Sequence, residues 1–154
     1  MASGPERLQA ALDELGLGIQ VVRVPGSAKT AVMAAEAVGC EVGAIVKSLV
    51  FVAGGAPVVV LCPGDRRVDA TKLAALLGSD GVAMAPAETV RAATGYAIGG
   101  VPPLGHATTL PILMDAALLT WPQVYAAAGA PDALFPIDPA TLQAVSGARV
   151  VDVT

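Results

Sequence analysis

Five segments place their apolar side chains at the spacing of one helix face. In residues 5–15 this face is formed by Leu8, Ala11, Leu12 and Leu15, and Pro5 suits the first turn. The same spacing predicts helices over residues 31–38, 69–77, 86–93 and 139–145. Thr30 is the expected N-cap of the second helix, and Gly39 is its expected stop.

Short runs rich in Val, Ile and Leu predict the strands. Residues 44–52 and 57–62 are separated by Ala-Gly-Gly-Ala, which is typical of a β-hairpin, and their apolar character indicates burial on both faces. Further strands are predicted over residues 19–24, 110–114, 123–127, 135–137 and 149–153. Hairpins mixed with helices predict an α+β fold, in which a single domain over residues 1–154 packs helices on a mixed, mostly antiparallel sheet.

The composition supports a globular chain and limits its partners. Of the 154 residues, 55% are hydrophobic and 14% are charged, which excludes the disordered class. A formal charge of −4 argues against generic binding of polyanions, because Lys and Arg supply most non-specific affinity for phosphates. Seven of the nine basic residues lie between Arg23 and Arg91. We therefore expect any nucleic-acid partner to be held locally.

The N-terminus and the length of the apolar runs indicate the compartment. The first 16 residues carry acids where a signal peptide needs a basic region and an apolar stretch. No apolar run reaches the roughly 20 residues that span a bilayer, so a cytoplasmic location is expected.

Two isolated cysteines, Cys40 and Cys62, and one histidine do not make a zinc site of the usual kind. The sequence therefore predicts a metal-free protein with two free thiols.

Lys47 interrupts the apolar run of residues 44–52. Strand alternation places it on the face shared by Ile45, Leu49 and Phe51. A cation at this position reaches solvent along the strand edge, meets an acid, or lines a polar cavity. In a cavity, the amine would orient a carbonyl or a phosphate as a compact charge. The residues alone leave both an edge lysine and a cavity lysine open.

A glycine- and proline-rich stretch, residues 94–106, fits no regular element. Its glycines permit close approach of another molecule and its prolines stiffen the path, so its backbone N–H groups would suit an oxyanion or a ribose. The alternative is a rigid connector. His106, which ends the stretch, is either an acid, base or orienting donor or a structural loop residue. The P-loop pattern is absent, and nucleoside triphosphate chemistry is not expected.

Four segments, in this order, resemble the YbaK and prolyl-tRNA-synthetase-associated editing-domain family. They are Lys47-Ser48-Leu49-Val50-Phe51, Asp65-Arg66-Arg67-Val68-Asp69, the stretch from Thr94 to His106, and Tyr125-Ala126-Ala127-Ala128-Gly129. The similarity runs from about residue 5 to residue 153. No single segment is specific, but four in register are.

The resemblance implies both an activity and partners. It implies a trans-acting deacylase that hydrolyses the ester of a mischarged tRNA, chiefly tRNA(Pro) carrying Ala, Cys, Ser or 2-aminobutyrate. No cofactor is implied. The expected partner is the acceptor end of the tRNA, with prolyl-tRNA synthetase or an elongation factor as a further partner, and neither a membrane nor DNA. A non-catalytic module of the same fold, docking on a synthetase or a small ligand, is the alternative.

The resemblance also implies the site. Lys47 matches a strand lysine of the family and is expected to fix the carbonyl or phosphate of the substrate. Backbone N–H groups of the Gly99–Gly105 loop, that of Gly100 among them, are expected to stabilise the oxyanion, with His106 as an optional helper. The expected substrate-binding residues are Thr30, Ser48, Gly99, Val101, Pro102, Pro103, Gly105 and Gly129.

One segment departs from the family pattern. The Cys-clearing branch is expected to carry an acidic residue in the turn after the Ala-Gly pair, and Asp132 does not align with it. Together with His106, this indicates a different branch. The sequence therefore does not fix which amino acid is cleared.

Overall fold

The computed structural model describes residues 2–154, and its helices lie on both faces of one sheet. Within this range the α-helices are α1 Gly4–Glu14, α2 Ala31–Val38, α3 Ala70–Leu77, α4 Ala87–Thr94 and α5 Pro139–Ser146. Short 3-10 helices span Val42–Ala44 and Ala116–Thr120. Among the described residues, no helix combines the length and apolar character needed to cross a membrane.

The strands form a mixed sheet. They are β1 Val22–Arg23, β2 Ile45–Ala53, β3 Ala56–Pro63, β4 Val82–Met84, β5 Ile112–Asp115, β6 Val124–Ala127, β7 Ala133–Ile137 and β8 Arg149–Val151. The order across the sheet is β1-β7-β6-β2-β3-β5-β8, and β4 pairs with β2 outside this path. Within residues 2–154, four pairings are antiparallel and three are parallel. The predicted α+β class and mixed sheet are confirmed.

Alternation along the central β2–β3 hairpin separates two apolar layers. Val46 and Val50 of β2 face the larger core, which contains residues of α1, α4 and α5. Phe51 faces the opposite layer, where it packs with residues of α3. Both strands are therefore covered on both faces, as their continuous apolar runs predict.

Side-chain caps fix where most of the helices begin. The Thr30 hydroxyl accepts a hydrogen bond from the N–H of Met33, as predicted, and Gly39 ends the same helix in the left-handed conformation. Aspartates serve the same purpose at α3 and α5, where Asp69 and Asp138 each accept from two backbone N–H groups. These caps satisfy donors that have no partner within the helix.

Two elements differ from the sequence prediction. The strand predicted over residues 19–24 is reduced to Val22–Arg23. The Gln9 side chain donates to the carbonyl of Ile19 and accepts from the N–H of Val21, so these backbone groups bond to helix α1 and not to a strand. Strand β4 was not predicted, because it is only three residues long and lacks a buried residue.

Strand β2 pairs with two different strands, β6 and β4, along the same edge. Among residues 2–154 it is the only strand that does so. Parallel pairing with β6 includes Ile45 and Val46 and then stops. Antiparallel pairing with β4 begins at Phe51. The edge is left open between these points, and this opening positions the candidate site.

Gly129 brings together three distant segments of the chain. It has a φ of +93°, and a Cβ there would lie 2.6 Å from backbone atoms of Gly4 and 2.9 Å from the ring of Tyr96. Its N–H donates to the carbonyl of Gly100 over 2.9 Å. The turn after β6 therefore packs directly against the start of α1 and the glycine-rich loop.

We predict that Gly129→Ala destabilises the protein far more than Gly147→Ala. Gly147 also has a positive φ, +69°, but a Cβ there meets nothing within 4 Å. Gly147→Ala should therefore cost only the left-handed backbone strain, about 1–2 kcal/mol. Gly129→Ala should add overpacking of about 1–3 kcal/mol. Urea unfolding measures both, and equal losses would contradict the packing account.

Candidate functional site

A cavity of about 450 Å³ lies at the open edge of β2. It is bounded by the start of α2, by the end of β4 and by the glycine-rich loop. Its walls comprise Lys29, Thr30, Ala31, Val32, Lys47, Ser48, Leu49, Val50, Gly64, Met84, Ala85, Val90, Ile98, Gly99, Val101 and Ala127. The volume suits a small organic group.

The amine of Lys47 is fixed at the wall of this cavity. Its Nζ donates to the carbonyl of Arg66 over 2.6 Å. On the sheet face that carries Lys47, Ile45 packs with residues of α2 and Phe51 packs with residues of α3. Lys47 therefore lies between the part of this face covered by α2 and the part covered by α3. An ammonium has three donors, and two remain beyond the Arg66 bond.

Two cations line the cavity without a carboxylate partner. Within residues 2–154 the ion pairs join Arg23 to Asp132 and Lys72 to Asp152, so neither Lys47 nor Lys29 is neutralised by one. The first turn of α2, which follows Lys29, also faces the cavity. The site therefore presents local positive charge in a chain of net charge −4.

The remaining walls are mostly apolar. Val50, Val90 and Val101 are buried beneath the opening. At its rim, Val32 is 54% exposed, Met84 58% and Ile98 60%, so the mouth of the cavity is apolar as well. This arrangement suits a ligand with a small apolar part and a polar or charged part.

Ser48 lies on the cavity wall, but its hydroxyl does not face the cavity. Its hydroxyl oxygen is buried, and within residues 2–154 it is the one buried side-chain oxygen or nitrogen without a hydrogen-bond partner. The residue as a whole is half-buried. The surface that Ser48 offers to the cavity is therefore its main chain and Cβ.

The glycine-rich loop reaches the cavity through Gly99 and Val101. Gly99 has a φ of +94°, and its absent side chain leaves room beside Lys29. The N–H of Gly100 donates to the carbonyl of Ala97 over 3.0 Å. A Cβ on Gly100 would lie 2.8 Å from the N of Ala130, so packing against the turn after β6 accounts for this glycine.

Six predicted site residues lie outside the cavity wall: Gly100, Pro102, Pro103, Gly105, His106 and Gly129. The cavity brings together the other five, which are Thr30, Lys47, Ser48, Gly99 and Val101. The roles assigned to all eleven remain predictions.

His106 is bonded within its own loop. Its Nε2 lies 2.7 Å from the carbonyl oxygen of Pro102. Burial lowers the pKa of His106, and the Pro102 carbonyl partly offsets this effect. Because a carbonyl oxygen can only accept, the proton of this contact lies on Nε2, and the bond links His106 to Pro102 within the loop.

Several wall residues were missed by the sequence reasoning. Lys29 and the apolar residues Met84, Val90 and Ile98 face the cavity from four different segments. Only Lys29 had a local signal, because it directly precedes the N-cap of α2. The others become neighbours through tertiary packing, which a sequence pattern does not encode.

Cys62 pairs with Lys47 across the β2–β3 ladder and is fully buried. Burial raises the pKa of the Cys62 thiol to about 11, although the charge of Lys47 opposes this rise. Burial also raises the pKa of Cys40, with Glu41 as a second cause. Among residues 2–154, no three His, Cys, Asp or Glu side chains are grouped to hold a metal ion.

Comparison with known proteins identifies the class. The family model described as the aminoacyl-tRNA editing domain matches residues 26–145. The chain therefore belongs to the aminoacyl-tRNA editing domain family, and the resemblance inferred from the sequence is confirmed.

Individual relatives agree with this class. The chain is 33% identical to the proline–tRNA ligase of Acidithiobacillus ferrooxidans (strain ATCC 53993 / BNL-5-31) over 115 residues, 75% of this chain and 20% of the ligase. It is 29% identical over 121 residues to EbsC of Enterococcus faecalis, a candidate Cys-tRNA(Pro)/Cys-tRNA(Cys) deacylase, covering 78% and 74% of the two chains. The chain spans a fifth or less of the length of the ligases it matches.

A solved structure has the same fold over its whole length. It is the crystal structure of a candidate trans-editing enzyme for prolyl-tRNA synthetase, with 46% identity and a TM-score of 0.94. The match covers 100% of this chain and 98% of the other.

We predict that the two thiols differ sharply in reactivity. Cys62 is buried with a pKa near 11, so iodoacetamide at pH 8 should leave it unmodified until the protein unfolds. Cys40 is partly exposed and should react first. Mass spectrometry of the wild type and of Cys40→Ala reads out each site. Rapid alkylation of Cys62 in folded Cys40→Ala would contradict the buried placement.

Proposed function

We propose that the protein is a trans-acting aminoacyl-tRNA deacylase, which hydrolyses the ester of tRNA(Pro) mischarged with Ala, Cys, Ser or 2-aminobutyrate. The observation that carries this proposal is the cavity at the open β2 edge, where the Lys47 amine meets small apolar walls. Membership of the editing-domain family supports the reaction class. The names of EbsC and of the trans-editing structure support the choice of tRNA(Pro).

Lys47 is proposed to bind the substrate end of the tRNA. Arg66 holds its Nζ at the wall, so a carbonyl or phosphate oxygen meets an amine that is already oriented. Lys29 is a second cation at the same wall and would attract the phosphates near the ester. Preorganised donors in a partly dry cavity stabilise developing negative charge more than water does.

The reaction needs no protein nucleophile. The oxygen of a water molecule attacks the ester carbonyl, the bond from that carbon to the ribose oxygen breaks, and the ribose oxygen takes a proton. The products are a free amino acid and the tRNA. A ribose hydroxyl or the substrate amine would activate the water, and positioning alone contributes roughly 7–11 kcal/mol in well-oriented systems.

The walls are proposed to limit the size of the amino acid. Val50, Val90 and Val101 are buried and leave room for a short side chain. An apolar pocket separates neighbours that differ by one methylene by about 1–3 kcal/mol. The protein is therefore expected to accept several small amino acids, and not one alone.

We predict that Lys47→Met slows deacylation of Ala-tRNA(Pro) by about 10²–10³-fold, the usual cost of one electrostatic donor. Met keeps most of the volume and removes the charge. Lys72→Met is the matched control, because Lys72 pairs with Asp152 outside the cavity. Single-turnover assays with chelator-treated protein measure both variants. A wild-type rate in Lys47→Met would exclude the proposed role of the lysine.

The same assay separates the catalytic proposal from a binding module. Turnover of at least one small aminoacyl-tRNA by chelator-treated protein supports a metal-independent deacylase. Binding without turnover on any tRNA in an aminoacyl-tRNA panel would instead favour a docking module.

We predict that His106→Gln keeps deacylation close to the wild-type rate. A Gln amide can still donate to the Pro102 carbonyl, which the His106 ring contacts at 2.7 Å. His106→Ala should lower the unfolding free energy by about 1–3 kcal/mol, because that partly buried carbonyl loses its partner. If His106 instead transfers a proton, His106→Gln should lose about 10²–10⁴-fold in rate.

A further inference from the structure

The open edge of β2 leaves backbone groups directed at the cavity. The last parallel pair on this edge is Val46 with Ala126, and the first antiparallel pair is Phe51 with Met84. One further bond, from the N–H of Ala85 to the carbonyl of Val50, shows that the backbone of Val50 faces this edge. Since edges alternate along a strand, the N–H and C=O of Ser48 face it as well.

Ser48 is the midpoint of this opening. Neither β6 nor β4 pairs with it in the part of the chain that the structure describes. Its hydroxyl is buried, so its accessible surface is main chain and Cβ, and Ser48 lines the cavity. Buried or half-buried peptide groups in proteins normally find a partner. The cavity is therefore offered one donor, the N–H of Ser48, and one acceptor, the C=O of Ser48. Their separation is that of the N–H and C=O of one residue in a strand.

We propose that the main chain of Ser48 binds the aminoacyl group of the substrate. The aminoacyl group pairs with Ser48 in the way that one residue of an added strand pairs with a sheet edge. The N–H of Ser48 donates to the ester carbonyl, and the C=O of Ser48 accepts from the α-amino group. The two residues then exchange both bonds, as a hydrogen-bonded antiparallel pair does. This inference rests on the proposed function and names the group that recognises its substrate.

The pairing divides the work of recognition. The main chain of Ser48 reads the α-amino acid itself and is indifferent to its side chain. The apolar walls, Val50, Val90 and Val101, then limit the side chain by size. In this pairing the N–H of Ser48 donates to the ester carbonyl oxygen, which gains negative charge during hydrolysis. A preorganised donor at that oxygen accelerates the reaction. It would supply the donor that Gly100 does not, because the N–H of Gly100 is bonded to Ala97.

Nuclear magnetic resonance tests the pairing without turnover. The probe is 3′-alanylamino-3′-deoxyadenosine, in which an amide replaces the labile ester, added to the ¹⁵N-labelled full chain. We expect the Ser48 amide proton to move downfield and its exchange with solvent to slow by about tenfold or more. The Phe51 amide, which faces β3, is the internal control and should not change. Failure of the probe to bind, or binding that leaves Ser48 unaffected, would overturn the proposal.

A backbone substitution tests the same bond in the reaction. Ser48→Ala is compared with a protein carrying lactic acid at position 48, which replaces only the N–H by oxygen. We expect the ester protein to deacylate Ala-tRNA(Pro) about 10²–10³-fold more slowly. Phenyllactic acid in place of Phe51 removes an N–H that faces β3, and it should lower stability but not the rate.

The two experiments distinguish two failures. Equal deacylation rates for Ser48→Ala and for the protein with lactic acid at position 48 would overturn the role of Ser48. The deacylase proposal would then remain intact. A wild-type protein that cleaves no aminoacyl-tRNA, yet protects the Ser48 amide when the probe binds, would overturn the deacylase proposal and support the pairing.

Discussion

The incomplete pairing of strand β2 is the constraint on which the site depends. Two partners share one edge of this strand, and neither continues across Ser48. On one side, β6 ends at Ala127 and leads into the turn at Gly129, which is fixed against Gly4 and Gly100. On the other side, Pro86 begins α4 and turns the chain away from the sheet. The gap is therefore held open by packing at both of its ends.

The charge of Lys47 lies at a break in the apolar cover of the sheet face. A lysine in the middle of an apolar strand would be costly under a continuous cover, because its amine would lose water without gaining a partner. On the cavity wall the Lys47 amine bonds to the Arg66 carbonyl and keeps two donors for a ligand. The acidic chain thus carries a local basic site. In the proposed function a tRNA end would be held at this place, and the net negative charge would limit binding elsewhere on the tRNA.

Much of the fold was predictable because its signals are local. The cap at Thr30, the β2–β3 hairpin and the position of Lys47 each follow from neighbouring residues. The opening of the sheet was not predictable, since it depends on where β6 and the three-residue β4 stop pairing with β2. The glycine-rich loop was recognised as unusual, but its glycines meet two different needs. Gly99 borders the cavity, whereas Gly100 is required by packing against Ala130.

The open edge of β2 is the proposed place where an aminoacyl-adenosine end binds. A crystal structure of the protein with a non-hydrolysable aminoacyl-adenosine would test this placement. Density for the aminoacyl group is expected between the Lys47 amine and Gly99, beside the main chain of Ser48. Density for that group at another surface, with this cavity filled only by water, would rule out the open edge as the binding site.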